Sequence, residues 1–130
     1  MITNTSPWAA GVTMTSPDGA VTARIDDAGE IAMGAPTSGD LHLSNGMSFE
    51  RCNPSITWSD DSRYLAVPQW TPDRKQRLLV VSVERRTAGF LGGTFRVLEL
   101  HSFEGGVVRG IDSPIYQPCA IELGIEEIEW

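Results

Sequence analysis

Trp58-Ser59-Asp60-Asp61-Ser62-Arg63-Tyr64-Leu65-Ala66-Val67, followed after a short gap by Arg77-Leu78-Leu79-Val80-Val81-Ser82-Val83, is the stretch whose reading decides the fold. Ser59 to Ser62 is a run of short polar residues, which bond their own backbone and accept tight turn geometry. Trp58 on one side and Tyr64, Leu65 and Val67 on the other supply aromatic and β-branched area. The segment from Arg77 to Val83 is nearly continuous in apolar residues, as a strand buried on both faces is. Together they predict antiparallel strands joined by a tight turn.

Outward from this stretch the same grammar repeats. Thirteen glycines and eight prolines punctuate the chain, and almost no window between them holds a helical period over three turns. The surviving windows are short and strand-like. They are 21–25, 41–43, 63–67, 77–83, 95–100, 107–109 and 120–123. The one helical candidate is the short Ile125-Glu126-Glu127-Ile128-Glu129-Trp130. Seven to eight short strands at this spacing predict a single all-β domain over residues 1–130, either a two-sheet sandwich or partial propeller-like blades.

An internal repeat bears on the choice between them. Ser16-Pro17-Asp18-Gly19-Ala20-Val21-Thr22-Ala23 aligns with Ser59-Asp60-Asp61-Ser62-Arg63-Tyr64-Leu65-Ala66 at an offset of 43 residues. Each copy is followed by a second strand candidate, Leu41-His42-Leu43 or Leu78 to Val83. Residues 16–90 resemble the hairpins of TolB and WD40-like propeller blades, in which a tryptophan precedes a Ser-Pro-Asp-Gly turn. Trp58 holds that place in the second copy, while Thr15 holds it in the first. The resemblance implies a blade-like hairpin and says little of function. A closed ring takes at least about four blades of roughly 40–45 residues each, more than 130 residues supply, so the hairpins are expected to build a two-sheet sandwich rather than a ring.

Chemistry is sparse along the chain. His42, between Leu41 and Leu43, points away from both leucines toward solvent, and His101 reads as a strand-end histidine. There is no Gly-x-Ser-x-Gly elbow, and Cys52 and Cys119 stand outside any paired-cysteine motif. Two idle or buried thiols are expected. Cys52, Cys119, His42 and His101 lack zinc-ligand spacing, and Asp18, Asp60 and Asp61 lack the pattern of a calcium loop. Gly92-Gly93 and Gly105-Gly106 read as turns or bulges. No cofactor, metal or enzymatic activity is expected.

Charge carries the remaining information. Seventeen acids against ten bases give a net charge of −7. Residues 1–50 carry −5, residues 51–103 carry +3 and residues 104–130 carry −5. Such a chain repels a phosphate backbone overall, which argues against direct nucleic-acid binding and favours a basic protein partner. Candidate contact residues are Asp26, Asp27 and Glu30, then Asp60 and Asp61, then Glu122, Glu126, Glu127, Glu129 and Trp130. Carboxylates steer encounter with a basic surface, and an indole anchors it. The basic band Arg74-Lys75-Gln76-Arg77 and Arg85-Arg86 brackets the best strand and is expected to protect its ends from edge pairing.

In size, charge and architecture the chain resembles the immunity proteins that bacteria pair with nuclease toxins. That resemblance implies an antitoxin-like inhibitor, a monomer until it forms a heterodimer with a basic nuclease domain, whose cleft its carboxylates occlude. The alternative is a propeller-blade-like interaction or assembly module that self-associates. The N-terminus shows no basic start or apolar core of a secretory signal, and no run has the length a membrane helix needs, so a cytoplasmic protein is expected.

Overall fold

A computed structural model describes residues 5–128 and 130 of the chain. It is all-β, with twelve strands: β1 Val12–Thr15, β2 Thr22–Ile25, β3 Gly29–Glu30, β4 Thr37–Leu43, β5 Ser48–Cys52, β6 Thr57–Trp58, β7 Tyr64–Trp70, β8 Gln76–Ser82, β9 Thr87–Phe95, β10 Leu98–Glu104, β11 Val107–Asp112 and β12 Cys119–Gly124. The first nine form one curled antiparallel sheet in the order β1-β2-β4-β5-β7-β8-β9, with β3 on β4 and β6 on β7. The last three form a smaller sheet. The only described helical element is a 3-10 turn over Ile125–Glu127, within the segment read as a helical candidate.

The strand count exceeds the expected seven to eight because β1, β3, β5, β6 and much of β9 carry too few consecutive apolar residues to announce themselves. One expected boundary is corrected. Residues 95–100 are not a single strand, since β9 ends at Phe95 and β10 begins at Leu98. The Asp112 carboxylate accepts the N–H groups of both Arg96 and Val97, at 3.0 and 3.2 Å, and so stabilises a turn where the side-chain pattern reads as extended.

The 43-residue repeat is present in three dimensions. In the first copy Thr15 pairs with Thr22 and Met14 with Ala23; in the second Trp58 pairs with Leu65 and Thr57 with Ala66. The turns match bond for bond. The Ser16 hydroxyl donates to Asp18 at 2.7 Å and accepts the Val21 N–H at 3.1 Å. The Ser59 hydroxyl donates to Asp61 at 2.6 Å and accepts the Tyr64 N–H at 2.9 Å. Each Asp also accepts the N–H two residues on, from Ala20 or Arg63. Gly19 and Ser62, one residue after each Asp, both adopt positive φ, 76° and 64°. The Ser62 hydroxyl accepts the Asp18 N–H at 2.9 Å and ties one turn to the other.

Two apolar layers hold the sheets. Along β7 and β8 alternate residues face opposite ways. Leu65, Val67, Leu79 and Val81 face a core shared with Ala23, Ile25, Leu41, Leu43, Ile56 and Trp58, enclosed by the curl of the large sheet. Ala66, Leu78 and Val80 face a second core completed by Leu91 and by Leu98, Leu100, Phe103 and Val108 of the small sheet. Burial on both faces explains the near-continuous apolar run of β8. Pro68 explains why β5 meets β7 only at Cys52 and Gln69. Its carbonyl accepts the Asn53 N–H on that side, and it has no N–H of its own to extend the ladder. In the small sheet, Gly110 lies where an added Cβ would collide with the Glu99 carbonyl oxygen.

The strands therefore run between two ends. The tight turns at 16–21, 44–47, 59–64, 83–87 and 104–107 lie at one end. The connections at 26–36, 71–75, 96–97 and 113–118 lie at the other, and 26–36 and 113–118 are the longer ones.

Candidate functional site

At the turn end, the 59–64 turn separates its two acids. Asp61 turns inward to Ser59 and to the Arg63 N–H and is part of the turn. Burial pushes its carboxyl up, but the bonds from Ser59 and the Arg63 N–H, with the Arg63 charge, outweigh that and hold it below the usual range. Asp60 faces the 104–107 turn. Its N–H donates to the Phe103 carbonyl at 2.9 Å, and its carboxylate lies 3.5 Å from the Gly105 N–H.

Asp60 and Glu104 border a groove of about 340 Å³ between β1, β6 and β10, lined also by Met14, Pro17, Trp58 and His101. His101 is held by Glu99 at 2.8 Å, within β10 rather than at a strand end. The 3-10 turn is tied to the 104–107 turn by the Ile125 N–H, which donates to the Gly106 carbonyl at 2.7 Å, and it carries Glu126 and Glu127. Trp130, half exposed, stacks on Tyr64 with ring centroids 5.9 Å apart, and Tyr64 in turn stacks on Phe103 at 6.2 Å. Among the described residues, no cation lies within ion-pair distance of Asp60, Glu104, Glu126 or Glu127.

The structure thus places Asp60, Glu126, Glu127 and Trp130 at one end of the sheets, with Asp61 serving as the brace of the turn that carries Asp60. It does not bring the remaining acids to them. Asp26, Asp27 and Glu30 sit at the far end of β2 and in β3. Asp26 is paired with Arg24 at 2.8 Å, and both share the outward face of the first strands with Asp40, His42 and Arg51. Glu30 accepts the Gly34 N–H at 3.2 Å. Glu122 lies on β12 across from Arg109, 3.6 Å away. Glu129 lies outside the described residues. Glu104, which sequence reading missed, belongs to the cluster because a two-glycine turn returns β11 beside it.

The cysteines are unpaired, Cys52 buried and Cys119 exposed. Burial, reinforced by the charge of Asp40, pushes the Cys52 thiol up to about 12 and leaves it a poor nucleophile at neutral pH. Among the described residues, no group of three or more His, Cys, Asp or Glu is placed to hold a metal ion, and no helix is long and apolar enough to cross a membrane. No protein family, curated protein or solved structure matches the chain.

Proposed function

We propose that the chain is a non-catalytic binding protein whose acidic turn end docks a basic protein, in the manner of an immunity protein occluding a nuclease toxin. The observation that carries this reading is the placement of Asp60, Glu104, Glu126 and Glu127 at the same end as the half-exposed Trp130, with no ion-pair partner for any of the four among the described residues. Uncompensated carboxylates steer a basic partner and mimic the phosphates it binds, while an aromatic side chain on rigid turns supplies the anchor. A cytoplasmic location accords with a partner of that kind.

The self-associating blade module is the weaker reading. Completing a ring requires an apolar outward face on each terminal sheet, to be covered by the next copy. Here the first strands present Arg24, Asp40 and His42 outward, and the small sheet presents Arg109 and Glu122. Taking such charges out of water is costly even where they are paired.

Affinity capture of the tagged protein from its native lysate at low salt tests the reading. The expected result is one basic protein at near-equal amount, whose nuclease activity the purified chain blocks. It should be lost when Asp60→Asn, Glu104→Gln, Glu126→Gln and Glu127→Gln are combined. It should also be lost as added salt shortens screening well below the roughly 8 Å of physiological strength. Recovery of the bait alone, or a complex indifferent to salt and to the four replacements, overturns the reading.

A further inference from the structure

The end opposite the acidic cluster carries a second surface of opposite character. A groove of about 530 Å³ opens between the 31–36, 71–75 and 113–116 segments, with Trp8 and Trp70 in its walls. Met33, Ile115 and Tyr116 line it at 99%, 65% and 79% exposure, three of the five large apolar side chains that the described residues leave exposed. Scattered exposed apolar residues are ordinary, but three converging on one groove mark an interaction site.

The charge at this groove is equally uneven. Arg74, Lys75 and Arg96 stand on its rim, and among the described residues none has a carboxylate within ion-pair distance. Arg96 lies over the Tyr116 ring, 5.8 Å from its centroid. Of the neighbouring acids only Asp73 lines the groove, and each keeps its charge while bonding its own turn. Asp73 accepts the Thr71 hydroxyl, Asp112 accepts the Arg96 and Val97 N–H groups, and Glu30 accepts the Gly34 N–H. The groove lining therefore carries three cations against one carboxylate, Asp73, on a protein of net charge −7. Screening over roughly 8–10 Å keeps it electrically separate from the acidic end.

We propose that this groove docks an acidic segment of a partner protein, one whose carboxylates meet Arg74, Lys75 and Arg96 while an aliphatic or aromatic side chain enters between Met33, Trp8 and Tyr116. Charge complementarity selects the sign of the segment, and the exposed Met, Ile and Tyr supply the desolvated anchor that rim charges alone lack. The openness of the site favours a peptide chain over a small molecule, because Met33 at 99% exposure is not part of any enclosing wall. The protein becomes two-ended, with a basic partner at the turn end and an acidic one at the loop end.

The test uses the full chain and three fluorescein-labelled twelve-residue peptides: Glu-rich with Leu and Trp at every third or fourth position, the same with Lys for Glu, and Glu-rich with Ala for Leu and Trp. Fluorescence anisotropy should show binding of the first alone. Arg74→Glu with Lys75→Glu and Arg96→Glu should abolish it, and Met33→Ser with Tyr116→Ser should weaken it by about tenfold. All variants should keep the parent's thermal transition, since these side chains are exposed. The four replacements at the acidic end should leave peptide binding unchanged, so this inference and the proposed function fail separately. Binding indifferent to the groove variants, equal affinity for the Lys peptide, or no binding of any peptide overturns it. Concentration-dependent oligomers in sedimentation, lost on reversing the three cations, would overturn it in favour of a second copy of the chain.

Discussion

The two ends of this protein are made by different means, and their exposed surfaces follow from that. At the acidic end the connections are tight turns. Ser59, Asp61 and the Tyr64 N–H close one of them, and the aromatic stack of Phe103, Tyr64 and Trp130 lies directly beside it. Charges there stand on short, fully bonded backbone. At the groove end the 71–75 connection closes by the same kind of bonds, but segments 26–36 and 113–118 are longer and bear apolar side chains that no sheet covers. Rigid turns present charge accurately, whereas longer loops expose apolar area at small cost to stability. One end is braced by the core and the other is carried by it.

The largest effect that separates them is on folding. Phe103 is fully buried in the core beneath the small sheet, and its carbonyl receives the Asp60 N–H. Phe103→Ala should cost about 3–5 kcal/mol, the usual loss for a buried aromatic, and should release Trp130 from its stack. Met33→Ser at the groove should change stability by no more than about 0.5 kcal/mol. Urea unfolding followed by tryptophan fluorescence measures both. A loss of less than about 1 kcal/mol for Phe103→Ala would show that the core does not brace the acidic end.

A smaller effect concerns the braces themselves. Asp61→Ala removes the acceptor for Ser59 and for the Arg63 N–H, and should cost on the order of 1–2 kcal/mol. The same aspartates set the acid limit of the fold. Hydrogen bonds from the Ser16 hydroxyl and the Ala20 N–H hold Asp18 low, and the Thr71 hydroxyl does the same for Asp73. Asp61 is held low against the opposing effect of burial. A carboxyl whose folded pKa is depressed stabilises the fold above its unfolded value and loses that contribution as pH falls through the folded one. Stability should therefore be flat at neutral pH and decline below about pH 4. Asp18→Asn with Asp61→Asn and Asp73→Asn should flatten that decline in melting curves taken from pH 6 to pH 2. An unchanged acid limb would mean that other carboxylates set it.

How much of this was readable follows the same division. The turn end was legible because its determinants are local. Ser-x-Asp followed by a strand is a turn with a mechanism, and the 43-residue repeat exposed two of them. The all-β class and the buried β8 came from period and composition alone. The groove was not legible, since Trp8, Met33, Arg74, Arg96 and Tyr116 come from segments that share no motif and meet only when the strands pair. The signal that existed was weak. Ile115-Tyr116 sits between Pro114 and Pro118, so an apolar pair occurs where a buried strand is excluded. Arg74-Lys75 read as a strand guard because the pair borders the strongest strand candidate, and charges at strand ends discourage edge pairing. Grouping the acids by sequence also misled. Asp26, Asp27 and Glu30 are at the end opposite Asp60, because a strand carries the chain across the molecule within a few residues.

The smallest predicted effect tests whether the tie between the repeated turns matters. Ser62 holds φ near 64° where its counterpart is Gly19, and its hydroxyl accepts the Asp18 N–H at 2.9 Å. Ser62→Ala keeps the left-handed backbone and loses the bond, so it should cost roughly 1 kcal/mol. Ser62→Gly loses the same bond but relieves a conformation that costs a side chain about 1–2 kcal/mol. Part of that relief is offset by the freer unfolded chain. The glycine variant should therefore match the parent within about 0.5 kcal/mol and exceed the alanine variant, as read from paired chemical denaturation curves. Equal losses for both would mean that the hydroxyl bridge alone determines the site. A glycine variant clearly more stable than the parent would mean that the second turn retains its serine for the tie to the first, at the expense of its own backbone. Either result separates the contribution of the hairpin from that of the contact between hairpins, a contact found at the braced end.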